Sequence, residues 1–292
     1  MFYIFICLKF AKKSMIVFPC AKINLGLNIV SKRPDGYHDL ETVFHPIPLY
    51  DALEVQTMSD KFPSEEPCDI LLSGMTLEGS AQDNLVVKAY HLLAQDFKLP
   101  RVHIHLYKGI PSQAGLGGGS SDAAYMIKLL DEKFRLDMGL AEMERYAKRL
   151  GADCPFFISA EPSYATGIGD VLTPVDADGS LSGYYLLVVK PPVAISTREA
   201  YASIVASRPS KTCKEIVRQP INTWREELTN DFESSIFPHH PELASIKEKL
   251  YSIGAIYAQM SGSGSALFGI FEQSPVFDEA LFYGCSVYVL DM

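Results

Sequence analysis

Apolar and polar positions along this chain follow two different repeats. In some segments they alternate, as where Val102, Ile104 and Leu106 are separated by polar or aromatic side chains, and this predicts half-buried β-strands. In others, apolar residues recur every three or four positions, which predicts helices at 85–95 and 140–150. The chain is therefore expected to contain both strands and helices.

The local composition changes at the Glu-Pro pair at 161–162, and we place a domain boundary there. This gives an N-terminal domain at 15–161 and a C-terminal domain at 162–292. Just after the boundary, two short strands around paired glycines predict a hairpin. The polar segment 207–222 is predicted to be mobile.

Residues 1–14 are interpreted as an upstream start-site extension, because Met15 opens a better strand. The apolar run 1–8 is far too short to span a bilayer. It also lacks the positive region and the small-residue cleavage site of a signal peptide. The first predicted strand therefore begins at Met15.

Composition limits the classes of protein to which this chain can belong. With 48% hydrophobic and 21% charged residues, the 292-residue chain is typical of a globular protein with an ample core. Its formal net charge of −9 argues against a nucleic-acid surface or an anionic membrane as partner. The six cysteines have no metal-binding spacing, so we interpret them as reduced thiols of a cytoplasmic enzyme. Monomer and homodimer both remain open.

A glycine-rich stretch at 110–125 carries the strongest chemical signal. Four glycines fall within five positions: Gly115, Gly117, Gly118 and Gly119. Glycine permits positive φ and close approach of a ligand, and a following helix start presents free N–H groups and a positive dipole end. We therefore predict a phosphate cradle, with Ser120 or Ser121 capping a helix from Ala123 to about Lys133. A flexible loop before a helix is the alternative.

This stretch lacks the lysine of a Walker A loop and the third glycine of a Rossmann fingerprint. It resembles the P-x-x-x-G-L-G-S-S-A-A loop of the GHMP kinase superfamily. Its extended form, G-L-G-G-G-S-S-D-A-A, is most similar to the branch that phosphorylates 4-diphosphocytidyl-2-C-methyl-erythritol. The resemblance implies that ATP is bound by Pro111, Ala114, Gly115, Leu116, Gly117, Gly118, Gly119, Ser120 and Ser121.

Two further motifs of the superfamily stand in the expected order. The run P-C-A-K-I-N-L-G-L at 19–27 contains Lys22 and Asn24, which share one face of a strand because they are two residues apart. They could simply form the wet face of an edge strand. The resemblance places Lys22 beside the reacting hydroxyl and the catalytic aspartate, and Asn24 at the substrate. The run M-S-G-S-G-S at 260–265 matches the third motif, a second glycine turn packed against the phosphate site, although alone it would fit a hairpin turn.

A G-Y-H-x-L run follows a Pro-Asp-Gly turn signal and contains Tyr37 and His38. Such a pair is most often ordinary surface, but a flat ring can stack on a pyrimidine and an imidazole can bond to its edge. By resemblance this run is specific to the diphosphocytidyl-methylerythritol branch. A looser similarity implies that Thr197 lies near the substrate and that Tyr201 completes an aromatic sandwich with Tyr37 around cytosine.

The run G-A-D-C-P at 151–155 follows the second predicted helix. Its aspartate, Asp153, could merely cap the next segment, but the motif resembles the one that carries the catalytic base of the family. Asn84 is predicted to cap the helix at 85–95, and the resemblance also places it near the adenine. Lys108, at the end of a strand beside the glycine loop, could meet the nucleotide.

The resemblance implies a two-domain α+β fold: an N-terminal domain like domain 2 of ribosomal protein S5, a ferredoxin-like C-terminal domain, and an active site in the cleft between them. It implies transfer of the ATP γ-phosphoryl group to the C2 hydroxyl of the cytidyl diphospho-alcohol, in the non-mevalonate route to isoprenoid precursors. Asp153 would accept the hydroxyl proton and Lys22 would keep it ionised. Ser121 is a candidate ligand of Mg²⁺, which phosphates and water could instead hold. A mevalonate- or homoserine-type kinase and a non-catalytic nucleotide-binding homologue remain alternatives.

Overall fold

The computed structural model describes residues 14–76, 79–175 and 181–292. Apart from Ser14, the predicted start-site extension lies outside the described residues. Among those described, no helix is both long enough and apolar enough to cross a bilayer.

The N-terminal half contains both strands and helices, as the apolar pattern predicts. Its strands are β1 (Ser14–Val17), β2 (Cys20–Lys32), β3 (His38–Tyr50), β4 (Ala52–Thr57), β5 (Cys68–Gly74) and β6 (Val102–Lys108). Its helices are α1 (Leu85–Leu93), α2 (Gly118–Phe134), α3 (Leu140–Leu150) and α4 (Phe156–Ser159). The break between β1 and β2 falls at Pro19, as expected for a residue that cannot donate to a sheet.

The C-terminal half contains the remaining elements. Its strands are β7 (Ser163–Thr166), β8 (Val171–Pro174), β9 (Tyr185–Lys190), β10 (Tyr257–Met260), β11 (Leu267–Phe271) and β12 (Ser286–Asp291). Its helices are α5 (Thr197–Ala200), α6 (Cys213–Ile216), α7 (Trp224–Glu227), α8 (Asp231–Ile236) and α9 (Pro241–Ser252). The hairpin predicted after the boundary is confirmed, since β7 and β8 pair antiparallel.

The chain forms two compact units. The first comprises residues up to Cys20, 49–110 and 118–159, and the second comprises 21–48, 111–117 and 160–292. The second unit thus includes two segments from the N-terminal half. The domain boundary at 161–162 stays a prediction.

The first unit is built on a four-stranded sheet in the order β1-β4-β6-β5. Strand β4 is antiparallel to β1 and β6, and β5 runs parallel to β6. The alternating apolar side chains of β6 are buried, because α1 packs on β5 and α2 packs on β1 and β4. The amphipathic helix α3 packs in turn on α1 and α2.

The second unit contains two four-stranded sheets, in the orders β2-β3-β7-β8 and β10-β11-β9-β12. The pairs within the latter are all antiparallel. An apolar cluster joins Leu27 and Ile29 of β2 to Leu187 and Val189 of β9, with α8 and α9 contributing to the same core. Separate sheets and mostly antiparallel pairing confirm the predicted α+β class.

The predicted start of helix α2 was wrong. Helix α2 begins at Gly118 rather than Ala123, so the two serines lie in its first turn and do not cap it. Gly118 packs closely on the preceding segment, because a Cβ on it would lie 2.9 Å from Cγ2 of Ile110. The segment 207–222 contains helix α6, which a capping box at Thr212 and Glu215 begins and buried apolar residues hold in place.

Candidate active site

The glycine loop at 111–117 is held by the glycine turn at 260–265. Ser261 Oγ donates to the Gly115 carbonyl at 2.9 Å, and the Ala266 amide donates to the Ala114 carbonyl at 3.1 Å. The turn is itself fixed by Asn230, whose amide donates to the carbonyls of Met260 and Gly262 at 2.8 Å. The predicted packing of the 260–265 turn against the glycine loop is therefore confirmed.

Glycine is required at the centre of this loop. Gly115 has φ +73° and Gly117 has φ +72°, the left-handed region that side chains disfavour. A Cβ on Gly115 would also overlap the carbonyl of Ser261. The conformation of the loop therefore depends on glycine at these two positions.

The loop leads directly into α2, whose first turn contains Gly118, Gly119, Ser120 and Ser121. The first N–H groups of a helix lack intrahelical partners and carry the positive end of the dipole. The hydroxyl of Ser121 is buried and has no hydrogen-bond partner among the described residues. This turn therefore offers backbone donors that suit an anionic ligand, with the Ser121 hydroxyl buried beneath them.

Lys22 and Asn24 share one face of β2, as predicted. Lys22 Nζ donates to Asn24 Oδ1 at 2.6 Å, and the Asn24 amide donates to Thr42 Oγ1 at 3.0 Å. The Lys22 backbone amide donates to the Leu116 carbonyl at 2.9 Å, which ties β2 to the glycine loop. Both side chains are buried, at 3% and 2% exposure, so the alternative of a wet edge strand is wrong.

Asp153 lies half-buried in the turn between α3 and α4. The next residue, Cys154, is fully buried. Burial raises the pKa of its thiol to about 11, so Cys154 is neutral at pH 7.

Lys108 lies at the end of β6, but its ammonium is buried between two carboxylates. It donates to Asp51 and, at 2.6 Å, to Asp122 Oδ2 of α2. Its direct contact with a nucleotide stays a prediction. Asp51 gave no signal in the sequence, because its partner is distant in the chain, and Asp122 was part of the S-S-D-A-A run without an assigned role.

Burial, reinforced by the neighbouring Asp51 carboxylate, raises the pKa of Asp122 to about 8, although Lys108 opposes the shift. A carboxyl with a raised folded-state pKa stabilises the fold below its unfolded pKa, and this contribution is lost as pH rises toward the folded value. Asp122→Asn cannot ionise. Relative to the native protein, we expect its free energy of unfolding to increase between pH 5 and pH 8, by at most about 1.4 kcal/mol per pH unit.

Urea unfolding of both proteins at the two pH values measures this difference. Asp131→Asn, in the same helix, is the matched control. A stability difference between Asp122→Asn and the native protein that is equal at both pH values would contradict the buried neutral carboxyl.

Aromatic side chains gather where the pyrimidine contact was predicted. His38 stacks on Tyr201 with ring centroids 4.7 Å apart and an interplanar angle of 20°, and Tyr201 meets Phe232 edge-on at 4.9 Å. Tyr37, next to His38 in the sequence, is 63% exposed. Thr197 is the exposed first residue of α5. The ring seen stacked on Tyr201 is thus that of His38, and a cytosine sandwich with Tyr37 stays a prediction.

Asn84 caps α1, as predicted, because its Oδ1 accepts from the Val86 amide at 2.9 Å. Its contact with adenine stays a prediction. Within the described ranges, no cluster of three His, Cys, Asp or Glu side chains could hold a metal. His103 pairs with Asp69. The role of the Ser121 hydroxyl as a ligand of Mg²⁺ stays a prediction.

Comparison with known proteins gives consistent matches along the chain. The family described as GHMP kinases N terminal domain matches residues 84–161, and GHMP kinases C terminal matches residues 213–288. The 4-diphosphocytidyl-2-C-methyl-D-erythritol kinase of Bacteroides fragilis is 56% identical over 257 residues, covering 88% of this chain and 92% of that protein. The enzyme of the same name from Porphyromonas gingivalis is 50% identical over 273 residues, covering 93% and 97%.

A crystal structure of 4-(cytidine 5'-diphospho)-2C-methyl-D-erythritol kinase matches with a TM-score of 0.78 and 30% identity, covering 94% of this chain and 98% of that one. The mevalonate kinase of Methanococcus jannaschii shares the fold alone, with a TM-score of 0.65, 13% identity, and coverage of 95% and 98%. Since half or more of the residues are identical over nearly the whole length of curated relatives, this chain belongs to the 4-diphosphocytidyl-2-C-methyl-D-erythritol kinase family of the GHMP kinases.

Proposed function

We propose that this protein transfers the γ-phosphoryl group of ATP to the C2 hydroxyl of 4-diphosphocytidyl-2-C-methyl-D-erythritol, giving the 2-phosphate and ADP. The observation that carries the proposal is the glycine loop, pinned at Gly115 by Ser261, in a chain 56% identical to a kinase of that name. The reaction belongs to the synthesis of isoprenoid precursors by the non-mevalonate route. The cytoplasm is the proposed site of action.

The nucleotide is held by the loop and the first turn of α2. Backbone N–H groups that converge on a phosphate need no side-chain charge, which suits a loop centred on glycines with positive φ. Fixed donors of this kind also stabilise charge that develops on the transferred group, without reorganising during the reaction. We assign Pro111, Ala114, Leu116 and Ser120 to the same pocket.

When bound with ATP, Mg²⁺ would supply positive charge that offsets the negative charge of the phosphate groups. The buried Ser121 hydroxyl, which has no partner among the described residues, fits a role as its one protein ligand. Mg²⁺ commonly keeps several water and phosphate ligands, so a cluster of carboxylates is not required.

Asp153 is the proposed acceptor of the C2 hydroxyl proton, because a free alcohol is a poor nucleophile. Lys22 is proposed to hold the ionised carboxylate and the phosphoryl oxygens. The hydrogen bond from Lys22 to Asn24 supports this role, since it fixes the ammonium on a buried strand. Fixing these groups before the reaction reduces the entropy lost in reaching the transition state.

Cytosine recognition is assigned to Tyr37 and to the stacked pair of His38 and Tyr201, with Thr197 nearby. Stacking of a base on an aromatic ring is sequence-tolerant and driven by the exposed faces of both rings. A small cytidyl diphospho-alcohol is therefore the proposed partner. The net charge of −9 supports the absence of nucleic-acid and membrane partners.

Tyr37→Ala is expected to raise KM for the cytidyl substrate about tenfold, because a stacked ring contributes on the order of 1–3 kcal/mol. The KM for ATP and kcat should change little. Tyr283→Ala removes a tyrosine that is 92% exposed and has no assigned role, so it serves as the control. Steady-state kinetics of the three proteins measure the effect, and an unchanged KM for the cytidyl substrate would argue against stacking by Tyr37.

Coupled detection of ADP tests the function itself. The purified protein is supplied with ATP, Mg²⁺ and, in separate reactions, the cytidyl diphospho-alcohol, mevalonate and homoserine. Turnover with the cytidyl compound alone is the expected result. Preference for another alcohol would indicate a different GHMP kinase, and no ADP release with any acceptor would indicate a non-catalytic homologue.

A further inference from the structure

A buried carboxylate fixes the chain segment that enters the glycine loop. Asp51 lies between β3 and β4 at 1% exposure, and its Oδ1 accepts from the backbone amides of Gly109 and Ile110 at 2.7 and 2.8 Å. Its other oxygen accepts from Lys108 Nζ. One side chain therefore holds three consecutive residues at the point where β6 ends.

The same ammonium reaches the helix that leaves the loop. Lys108 Nζ donates to Asp122 Oδ2 in α2 at 2.6 Å. It also lies close under the first turn, since a Cβ on Gly118 would stand 3.4 Å from it. Asp51, Lys108 and Asp122 thus form a chain of charge-assisted hydrogen bonds within one compact unit, from the entry of the loop to the helix beyond it.

We infer that Asp51 is a positioning residue for nucleotide binding, which acts through Lys108 and the Gly109 and Ile110 amides to fix the entry of the glycine loop relative to α2. The inference rests on the proposed function only in taking the ligand to be a nucleoside triphosphate. A loop that is already ordered loses less entropy when a ligand binds. Without Asp51, part of the free energy of binding must also order the entry of the loop at Gly109 and Ile110.

The charge balance of the network supports this role. Two carboxylates share one ammonium, and a second ionised carboxylate beneath a phosphate site would repel the ligand. Burial favours the neutral form of Asp122 at pH 7, which leaves Asp51 and Lys108 as a compensated pair. Removing one partner of a buried ion pair is costly, so loss of the Asp51 carboxylate should weaken nucleotide binding.

Asp51→Asn tests the inference. The variant keeps a side chain of the same size but loses the negative charge that Lys108 and the two amides contact. We expect the Kd of adenylyl imidodiphosphate with Mg²⁺, measured by calorimetry, to rise about tenfold, as for loss of a charge-assisted hydrogen bond. The KM for the cytidyl alcohol should stay unchanged. Asp131→Asn is the control. Asp131 also accepts a hydrogen bond from a backbone amide, that of Met138, but it lies toward the far end of α2.

Hydrogen exchange supplies a readout that does not depend on turnover. In the ligand-free native protein the Gly109 and Ile110 amides should exchange slowly, and in Asp51→Asn the 109–117 segment should exchange faster while 102–107 stays protected. Rapid exchange of the two amides in the native protein would overturn the inference whether or not the variant folds. So would unchanged nucleotide Kd and exchange in Asp51→Asn. Turnover that fails with the cytidyl alcohol would refute the proposed function alone.

Discussion

Asp153→Ala is expected to lower kcat by about 10²- to 10⁴-fold, the range typical for loss of a general base. The Kd of an ATP analogue should remain within about twofold of the native value, because backbone donors hold the phosphates. Single-turnover kinetics with saturating ATP and cytidyl substrate, together with calorimetry of the ATP analogue, measure both quantities. Near-native turnover would reject the assigned role.

Asp153→Asn separates two possible roles of the carboxylate. If Asp153 accepts a proton, the amide should be as inactive as alanine, since it cannot take the proton at neutral pH. If Asp153 chiefly orients the hydroxyl, the amide should retain much of the activity, because its oxygen still accepts a hydrogen bond. Phosphoryl transfer through a loose transition state permits either result.

Gly115→Ala should weaken binding of an ATP analogue by about 10²-fold or more. Alanine at φ +73° is strained, and its Cβ would overlap the Ser261 carbonyl, so the loop and the 260–265 turn must separate. The loss should appear in Kd measured by calorimetry, with the far-ultraviolet circular dichroism unchanged.

Gly139→Ala is the matched control for that substitution. Gly139 has φ −75°, and a Cβ there meets nothing within 4 Å, so affinity for the ATP analogue should be native. Gly115→Ala protein that binds the analogue with native affinity would show that the loop conformation is not needed for binding.

Local patterns predicted the elements that local physics decides. The alternating pattern of β6 and the apolar repeat of α3 both match the observed elements, because each element buries one face against a neighbour. The pairing of Lys22 with Asn24 followed from the two-residue period of a strand. Asn84 was correctly placed as a cap for the same reason, since the Asn side chain satisfies an amide within two residues.

Contacts between distant segments could not be predicted in this way. Helix α2 starts at Gly118, which packs closely on Ile110, and helix propensity does not encode that contact. Asp51 contacts Lys108, 57 residues away, and no residue near Asp51 in the sequence indicates that contact. His38 stacks on Tyr201, which lies in the other half of the chain, and no local pattern indicates that contact. Such pairings depend on topology and become visible only in the folded chain.

Phosphorus-31 NMR of the product is the most direct measurement of the central claim. With ATP, Mg²⁺ and 4-diphosphocytidyl-2-C-methyl-D-erythritol, the account predicts ADP and one new phosphomonoester signal on the alcohol, with the diphosphate bridge intact. A spectrum in which the protein converts ATP without that new signal, or leaves both reactants unchanged, would contradict it.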